Sequence, residues 1–390
     1  MRKSQILKNF LKKRKCTFLN IGPMSKNIVD TAIDISDKHN IPLTLIASRR
    51  QIDNENFSGG YVNNWTTRTF ADYVKKKSKK KNIFLARDHG GPWQNDIEVK
   101  NNYGLKKAMD SSKESFKSDI EAGFDFLHLD TSIDPQKKMK PSELYERLFE
   151  LYEFCYEYSQ RNKKEIDFEV GTEEQSGSTN TPEELNYNLN KINKFCEKNR
   201  ITKPTFVVVQ AGTKVMEMKN IGSFDSPVRI EGETPVEIQL PKMIEACEAN
   251  NIMMKEHNTD YLSDESLYWH PKIGIHSANV APEFGVAETK EIIFLLKKLK
   301  LTKLLDRFLE ISYKSQKWKK WMLPNSKTTD VEKSIICGHY NYSKQEVKEI
   351  FLNLDFQCKK KIDESLNKIL QKKLNLSICR YLYNFNMLSK

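Results

Sequence analysis

Three short segments hold the residues best suited to chemistry: Arg87-Asp88-His89-Gly90-Gly91-Pro92, Val170-Gly171-Thr172-Glu173-Glu174 and Glu256-His257-Asn258-Thr259-Asp260-Tyr261. Each follows a short apolar run. Each carries imidazoles or carboxylates, the donors that bind divalent metals and move protons. The chain has only 7 histidines in 390 residues, and His89 and His257 both fall in these segments. In Asp88-His89 the imidazole suits a divalent metal, and the carboxylate suits a proton from a substrate hydroxyl. Gly90-Gly91-Pro92 then lets the backbone turn sharply. The structural alternative for the pair is a capping aspartate and a buried, satisfied histidine.

Other candidates follow the same logic. Period two places His128 and Asp130 on one strand face. Asp130, nearer the rim, is the acid–base candidate, and His128 also fits an internal polar layer. Of Glu173 and Glu174, one could bind a metal and the other serve as general acid or base, against a solvated charge pair. Glu169, inside its strand, is the weaker ligand candidate. His257 and Asp260 could be a metal ligand and its hydrogen-bonded partner, or a loop histidine and a helix-capping aspartate. Arg49-Arg50 offers guanidinium forks for phosphate or carboxylate. Substrate contacts are thus expected from Arg49, Arg50, Gln210, His276 and Asn279.

These residues need elements to position them. Strand-like runs occur at Thr17–Ile21, Leu43–Ala47, Ile83–Ala86, Phe124–Leu129, Ile166–Val170, Thr205–Gln210, Ile252–Lys255 and Ile273–His276. Helix-like periodicity fills the intervals, as in Ser25–Lys38, Thr67–Lys77, Leu105–Ala122, Pro141–Tyr158, Pro182–Lys198 and Pro235–Ala249. Thr181-Pro182 reads as an N-cap followed by proline at the first helical position. Alternation of this kind argues for a parallel sheet with crossover helices. Eight strands argue for closure into a (β/α)8 barrel, whose active sites sit at the C-terminal strand ends. The expected division is a barrel over 15–300 and a helical extension over 301–390.

Composition narrows the classes. No strand is followed by a GxGxxG or P-loop sequence, which removes the usual dinucleotide and nucleoside-triphosphate readings. Lys+Arg number 64 against 52 Asp+Glu, a net charge of +12. The basic runs Lys75-Lys76-Lys77 and Lys79-Lys80-Lys81 lack interleaved aromatics, so nucleic acid is not expected as a partner. The 7 cysteines are scattered with no CxxC pair, against a disulfide framework or a zinc ribbon. No apolar run is long enough to span a membrane, and no signal peptide is evident. A cytoplasmic protein is expected.

Over about Ile21 to Leu354 the chain resembles the tagatose-bisphosphate aldolase subunit family, the so-called non-catalytic subunits related to class II aldolases. The resemblance is carried by Phe57-Ser58-Gly59-Gly60-Tyr61, Asp88-His89 with Gly91-Pro92, and Ala122-Gly123-Phe124 leading to His128-Leu129-Asp130. Gly171-Thr172-Glu173, Val208-Val209-Gln210 with Gly212, and Glu256-His257 with Thr259-Asp260-Tyr261 complete it. It implies a TIM barrel with a divalent metal, zinc first and manganese or cobalt as alternatives, held by His89, Glu173 and His257. It implies acid–base or hydroxyl-orienting roles for Asp88 and Asp130; Glu174 and Asp260 stand beside them as acid–base candidates from the residues alone. The implied chemistry is aldol cleavage or C4 epimerisation of a sugar phosphate or sugar acid, the metal polarising a ketose carbonyl. The glycine-rich phosphate loops of catalytic class II aldolases are absent after strands seven and eight. Arg49-Arg50 would then hold one phosphate or a sugar-acid carboxylate. The alternative is a non-catalytic subunit that stabilises a separate class II ketose-bisphosphate aldolase. A homo-oligomer or such an aldolase subunit is the expected protein partner.

Overall fold

The computed structural model describes residues 2–171, 181–225 and 235–389. Eight parallel strands close into a barrel: β1 (Phe18–Ile21), β2 (Leu43–Ser48), β3 (Ile83–Gly90), β4 (Phe126–Asp130), β5 (Asp167–Gly171), β6 (Phe206–Val209), β9 (Met253–Glu256) and β10 (Ser277–Val280). A small antiparallel pair, β7 (Val215–Met216) and β8 (Lys219–Asn220), stands apart in the loop after β6. The barrel closes where β1 pairs with β10, Phe18 opposite Ser277 through Ile21 opposite Val280. Strands buried on both faces read as near-continuous apolar runs, which is how seven of the eight show in the sequence.

Helices wrap the strands: α1 (Lys3–Lys13), α2 (Lys26–His39), α3 (Thr67–Lys77), α4 (Asp96–Lys100), α5 (Leu105–Ala122), α6 (Pro141–Arg161), α7 (Pro182–Asn199), α8 (Val236–Ala249), α9 (Asp264–Ile273) and α10 (Pro282–Lys298). Their starts follow local chemistry. Ser25 caps α2, Thr66 caps α3 and Thr181 caps α7, each hydroxyl accepting from a backbone N–H of the first turn. The run expected as strand eight, Ile273–His276, is instead the end of α9 and the turn after it. The strand proper starts at Ser277.

The extension consists of α11 (Thr302–Lys314), α12 (Asp330–Cys337), α13 (Gln345–Ile362) and α14 (Leu366–Asn384). It is packed onto the barrel rather than hung from it. Leu374, Ile378, Tyr381, Leu382, Phe385 and Met387 join the same buried core as the barrel strands. The Thr17 N–H donates to the Phe385 carbonyl at 3.0 Å, and the Leu19 N–H lies 3.3 Å from Met387 Sδ. At the opposite end of the chain, α1 lies across the N-terminal end of the barrel. There Ser4 donates twice to Asp167, and Lys8 reaches the Asn251 carbonyl.

Candidate active site

The barrel interior is layered. Phe84, Phe126 and Phe206 form a floor of rings with centroids 5.8–6.2 Å apart. Above Phe206 stands the Lys255 ammonium, 5.1 Å from the ring centroid and paired with the Glu169 carboxylate. Glu169 Oε1 lies 3.2 Å from His257 Nε2 and 3.7 Å from His128 Nδ1. His128, Glu169, Lys255 and His257 are all buried. Their strand spacing is the period of two that turns alternate residues inward.

Asp88 and His89 complete the cluster from β3, and a local irregularity lets them. Two successive strand residues would point to opposite faces. Here the pairing of β3 with β4 slips between Arg87 and Gly90. His89 takes a left-handed backbone with φ of 45°, uncommon for any residue but glycine. A bulge of this kind re-aims side chains, and both residues reach the mouth. Gly91 permits it: a Cβ there would stand 1.8 Å from the Asp130 carbonyl oxygen.

The three imidazoles of His89, His128 and His257 surround a common space, with ring centroids 5.1–5.4 Å apart. Asp88 lies 3.7 Å from His128, 3.8 Å from His89 and 3.9 Å from His257. The His89 backbone N–H donates to His128 Nδ1. Asp130 holds His89 from its other side, with Oδ2 2.6 Å from Nδ1. The same oxygen accepts from Gln94, and Oδ1 accepts from the N–H and hydroxyl of Ser132.

Electrostatics follow from this packing. Burial alone would raise the Asp88 pKa, but the His89 charge and the other two imidazoles hold it well below the usual carboxylate range. Burial likewise opposes ionisation of Asp130, and His89 overrides it. Glu169 is buried too, yet Lys255 and the histidines bring it down to about 2. Burial would lower the His89 pKa, and Asp88 and Asp130 push it up to about 9. Its side chain is 37% exposed, so solvent screens part of that coupling. Burial lowers the His257 pKa despite Glu169 and Asp88.

Such a donor set fits a divalent cation. Among the described residues, three overlapping trios each bring their donor atoms within 4.8 Å of one another: Asp88, His89 and His257; His89, His128 and Asp130; His128, Glu169 and His257. Mixed imidazole and carboxylate donors suit zinc, manganese or cobalt.

The remaining expected residues scatter. Glu173 and Glu174 lie outside the described residues. Asn279 reaches the cluster, its Nδ2 3.4 Å from Asp88 Oδ1. Gln210 is buried just past β6. Asp260 caps α10, accepting from the backbone N–H groups of Ala281 and Glu283. Burial and the Glu283 charge raise its pKa to about 8. His276 precedes β10 and sits at the far, N-terminal end of the barrel, where Nδ1 accepts from the Met254 N–H. It therefore cannot meet a substrate at the mouth. Arg49 is fully buried, bound to Asp53, Glu98, Ser111 and the Gly91 carbonyl, so it braces the bulged segment instead of meeting solvent. Arg50 does stand at the mouth. Reading the sequence underrated Glu169 and missed Lys255. A charged residue at an alternate position of an otherwise apolar strand is the signal for both.

Residues 4–328 match the family of D-tagatose-1,6-bisphosphate aldolase subunits described as GatZ/KbaZ-like. The chain belongs to this family. Among solved structures it resembles a probable tagatose 6 phosphate kinase from Sinorhizobium meliloti 1021, with TM-score 0.71 and 14% identity over 94% of this chain and 100% of that one. It also resembles the fructuronate-tagaturonate epimerase UxaE from Cohnella laeviribosi, with TM-score 0.58 and 12% identity over 96% and 82%. A third is the fructose-bisphosphate aldolase from Campylobacter jejuni, with TM-score 0.54 and 10% identity over 100% and 96%. At these identities the likeness is one of fold. The family match spans the whole barrel and the start of the extension, so every residue of the histidine cluster falls within it.

Proposed function

We propose that this chain is a metal-dependent carbohydrate enzyme acting on a phosphorylated or acidic sugar by aldol and retro-aldol chemistry, as an aldolase or a C4 epimerase. The observation that carries this reading is the convergence of His89, His128 and His257 with Asp88 at the mouth of the barrel. Membership of an aldolase-subunit family supports it. His89 and His257 would hold the cation, with His128 or Glu173 as a third donor. When bound, a divalent cation, zinc first, would polarise a ketose carbonyl as a Lewis acid.

The chain's own residues supply the rest. Asp130 fixes the His89 ring through Nδ1. Glu169, neutralised by Lys255, orients His257. Among the described residues Asp88 has no side-chain partner nearer than 3.4 Å, so its carboxylate is free to accept a proton from a substrate hydroxyl as the adjacent carbon–carbon bond breaks. On re-addition it returns that proton. Seven free cysteines, six of them buried, suit a reducing cytoplasm. Among the described residues no helix is long and apolar enough to cross a membrane.

Metal content tests this directly. Protein purified without chelator should carry about one divalent ion per chain by elemental analysis, and the double variant His89→Ala, His257→Ala should lose it. Unchanged metal in that variant would sink the proposal. The family description as an aldolase subunit favours a second reading, a partner that stabilises a separate class II ketose-bisphosphate aldolase. A metal-free, inactive protein that raises the stability of such an enzyme on mixing would establish that reading instead.

A further inference from the structure

The segment between α11 and α13 crosses the mouth of the barrel. Lys317 pairs with Asp96, the first residue of α4 in the connection after β3, at 2.8 Å. The Trp321 carbonyl accepts from the Glu217 N–H of the loop after β6 at 2.7 Å. Tyr340 packs edge-on against Tyr61 of the loop after β2, centroids 4.7 Å apart, and Ser343 donates to the Tyr61 carbonyl. Three separate barrel loops are therefore tied to one strap.

The strap carries cations to the site. Lys320 is exposed, and among the described residues no carboxylate lies within ion-pair distance of it. Its ammonium stands 4.6 Å from the Trp321 ring centroid and 5.4 Å from that of Tyr340. Arg50, at the end of β2, acts electrostatically on both Lys320 and His89. The Arg50 side chain is 36% exposed, and its Nε is paired with Asp96 at 2.9 Å. Asp96 is the same carboxylate that Lys317 uses. Arg50 and Lys317 thus share one carboxylate beside the histidine cluster, and Lys320 adds a third cation without one of its own. The excess is about two positive charges, close to the −1.5 to −2 carried by a phosphate monoester at neutral pH and about twice that of a carboxylate.

We propose that Arg50 of the barrel and Lys320 of the strap form an anion subsite at the mouth, which takes the phosphate of a phosphorylated sugar whose carbonyl end faces the histidine cluster. The subsite serves the reaction proposed above, and to that extent rests on that reading. A planar guanidinium fork and a compact ammonium complement each other here: the fork fixes orientation and the ammonium supplies a point charge. Protein packed around its stem and the nearby Arg50 charge lower the Lys320 pKa. An anion between the two cations relieves that repulsion. The strap also explains how the chain binds phosphate without glycine-rich loops after the last two strands: the cation comes from the extension instead.

The test uses full-length protein and inorganic phosphate as the probe, followed by titration calorimetry in low-salt chloride buffer, with metal content measured on the same samples. Wild type should bind phosphate. Arg50→Ala and Lys320→Ala should each weaken it by about tenfold or more, with metal content unchanged. Lys320→Arg should stay within a few-fold of wild type, and Lys368→Ala, on α14, should bind as wild type does. Chelator-treated protein should still bind phosphate through Arg50 and Lys320. Equal phosphate binding by wild type and both alanine variants, or no binding at all, overturns the subsite. Loss of phosphate binding on chelation alone also overturns it, because the metal would then be the phosphate ligand. Acetate binding as tight as phosphate overturns the assignment to a phosphorylated sugar. A protein that holds no metal yet binds phosphate through Lys320 sinks the metal reading and leaves the subsite standing.

Discussion

Asp88 and Asp130 both flank His89, yet their surroundings separate their roles. Every oxygen of Asp130 is engaged, by His89, Gln94 and Ser132. Among the described residues Asp88 has a 3.4 Å contact from Asn279 and longer approaches to the imidazoles. Asp88→Asn should therefore lower turnover about 10²–10⁴-fold while metal stays bound. Asp130→Asn should weaken metal affinity by about 10–100-fold, the usual cost of losing a ligand's orienting partner. Steady-state kinetics with metal analysis distinguishes the two, and full activity in both variants would return the subunit reading to first place. A buried carboxylate elsewhere gives a pH-dependent prediction. Glu288 accepts from Asn27 through Oε1, and its buried Oε2 has no hydrogen bond within 3.5 Å among the described residues. Burial raises its pKa from 4.5 to about 7. The folded state thus binds the proton more tightly than the unfolded chain. That contribution is fully present below about pH 4.5 and is lost as pH rises through about 7. Glu288→Gln should stabilise the protein above pH 7 by on the order of 2–3 kcal/mol, read as a higher midpoint in denaturant unfolding at pH 8 and little change at pH 4.5.

At the scale of elements, the bulge in β3 decides whether the site exists. Gly91→Ala would drive a methyl group into the Asp130 carbonyl, backbone against backbone, where neither side can give. A loss of roughly 1–3 kcal/mol or more is expected, with weakened metal binding because Asp88 and His89 sit on the displaced segment. Unfolding midpoints together with metal titration would check both halves. Much of this level was legible in the chain itself. The strands with apolar runs, such as Phe126–Asp130 and Phe206–Val209, announce themselves, as do helices with a threonine cap such as α3 and α7. The eighth strand does not, because Ser277-Ala278-Asn279-Val280 is small and polar, and Ile273 and Ile275 just before it look more strand-like. That misreading carried His276 to the wrong end of the barrel. The register slip at Asp88-His89 is a tertiary event with no local signature beyond the following glycines. His89, His257, Asp88 and Asp130 were readable as candidates because each ends a strand. Lys320 was not, because its place beside Arg50 depends on a loop far along the chain.

The whole molecule is a barrel sealed by both of its ends. Helix α14 and the residues after it supply Leu374, Ile378, Tyr381, Leu382, Phe385 and Met387 to the common core. Burying each such side chain is worth about 1.5–3 kcal/mol, so these six together rival the roughly 5–15 kcal/mol by which a typical domain is stable. Deletion of residues 366–389 should therefore leave no cooperatively folded barrel, seen as loss of a thermal transition and of soluble yield. A truncated protein melting as sharply as the full chain would show that α14 is an ornament. The contacts of Thr17 with Phe385 and of Leu19 with Met387 also set an order of events during synthesis. The first barrel strand to leave the ribosome can pair early with β2, but its other edge and its cover wait until β10 and the residues after α14 have emerged. Until then the outer edges of a nascent β1 and β2 stay unpaired in a high-contact-order fold, which predicts a refolding yield that falls as protein concentration rises and recovers when a chaperone is added.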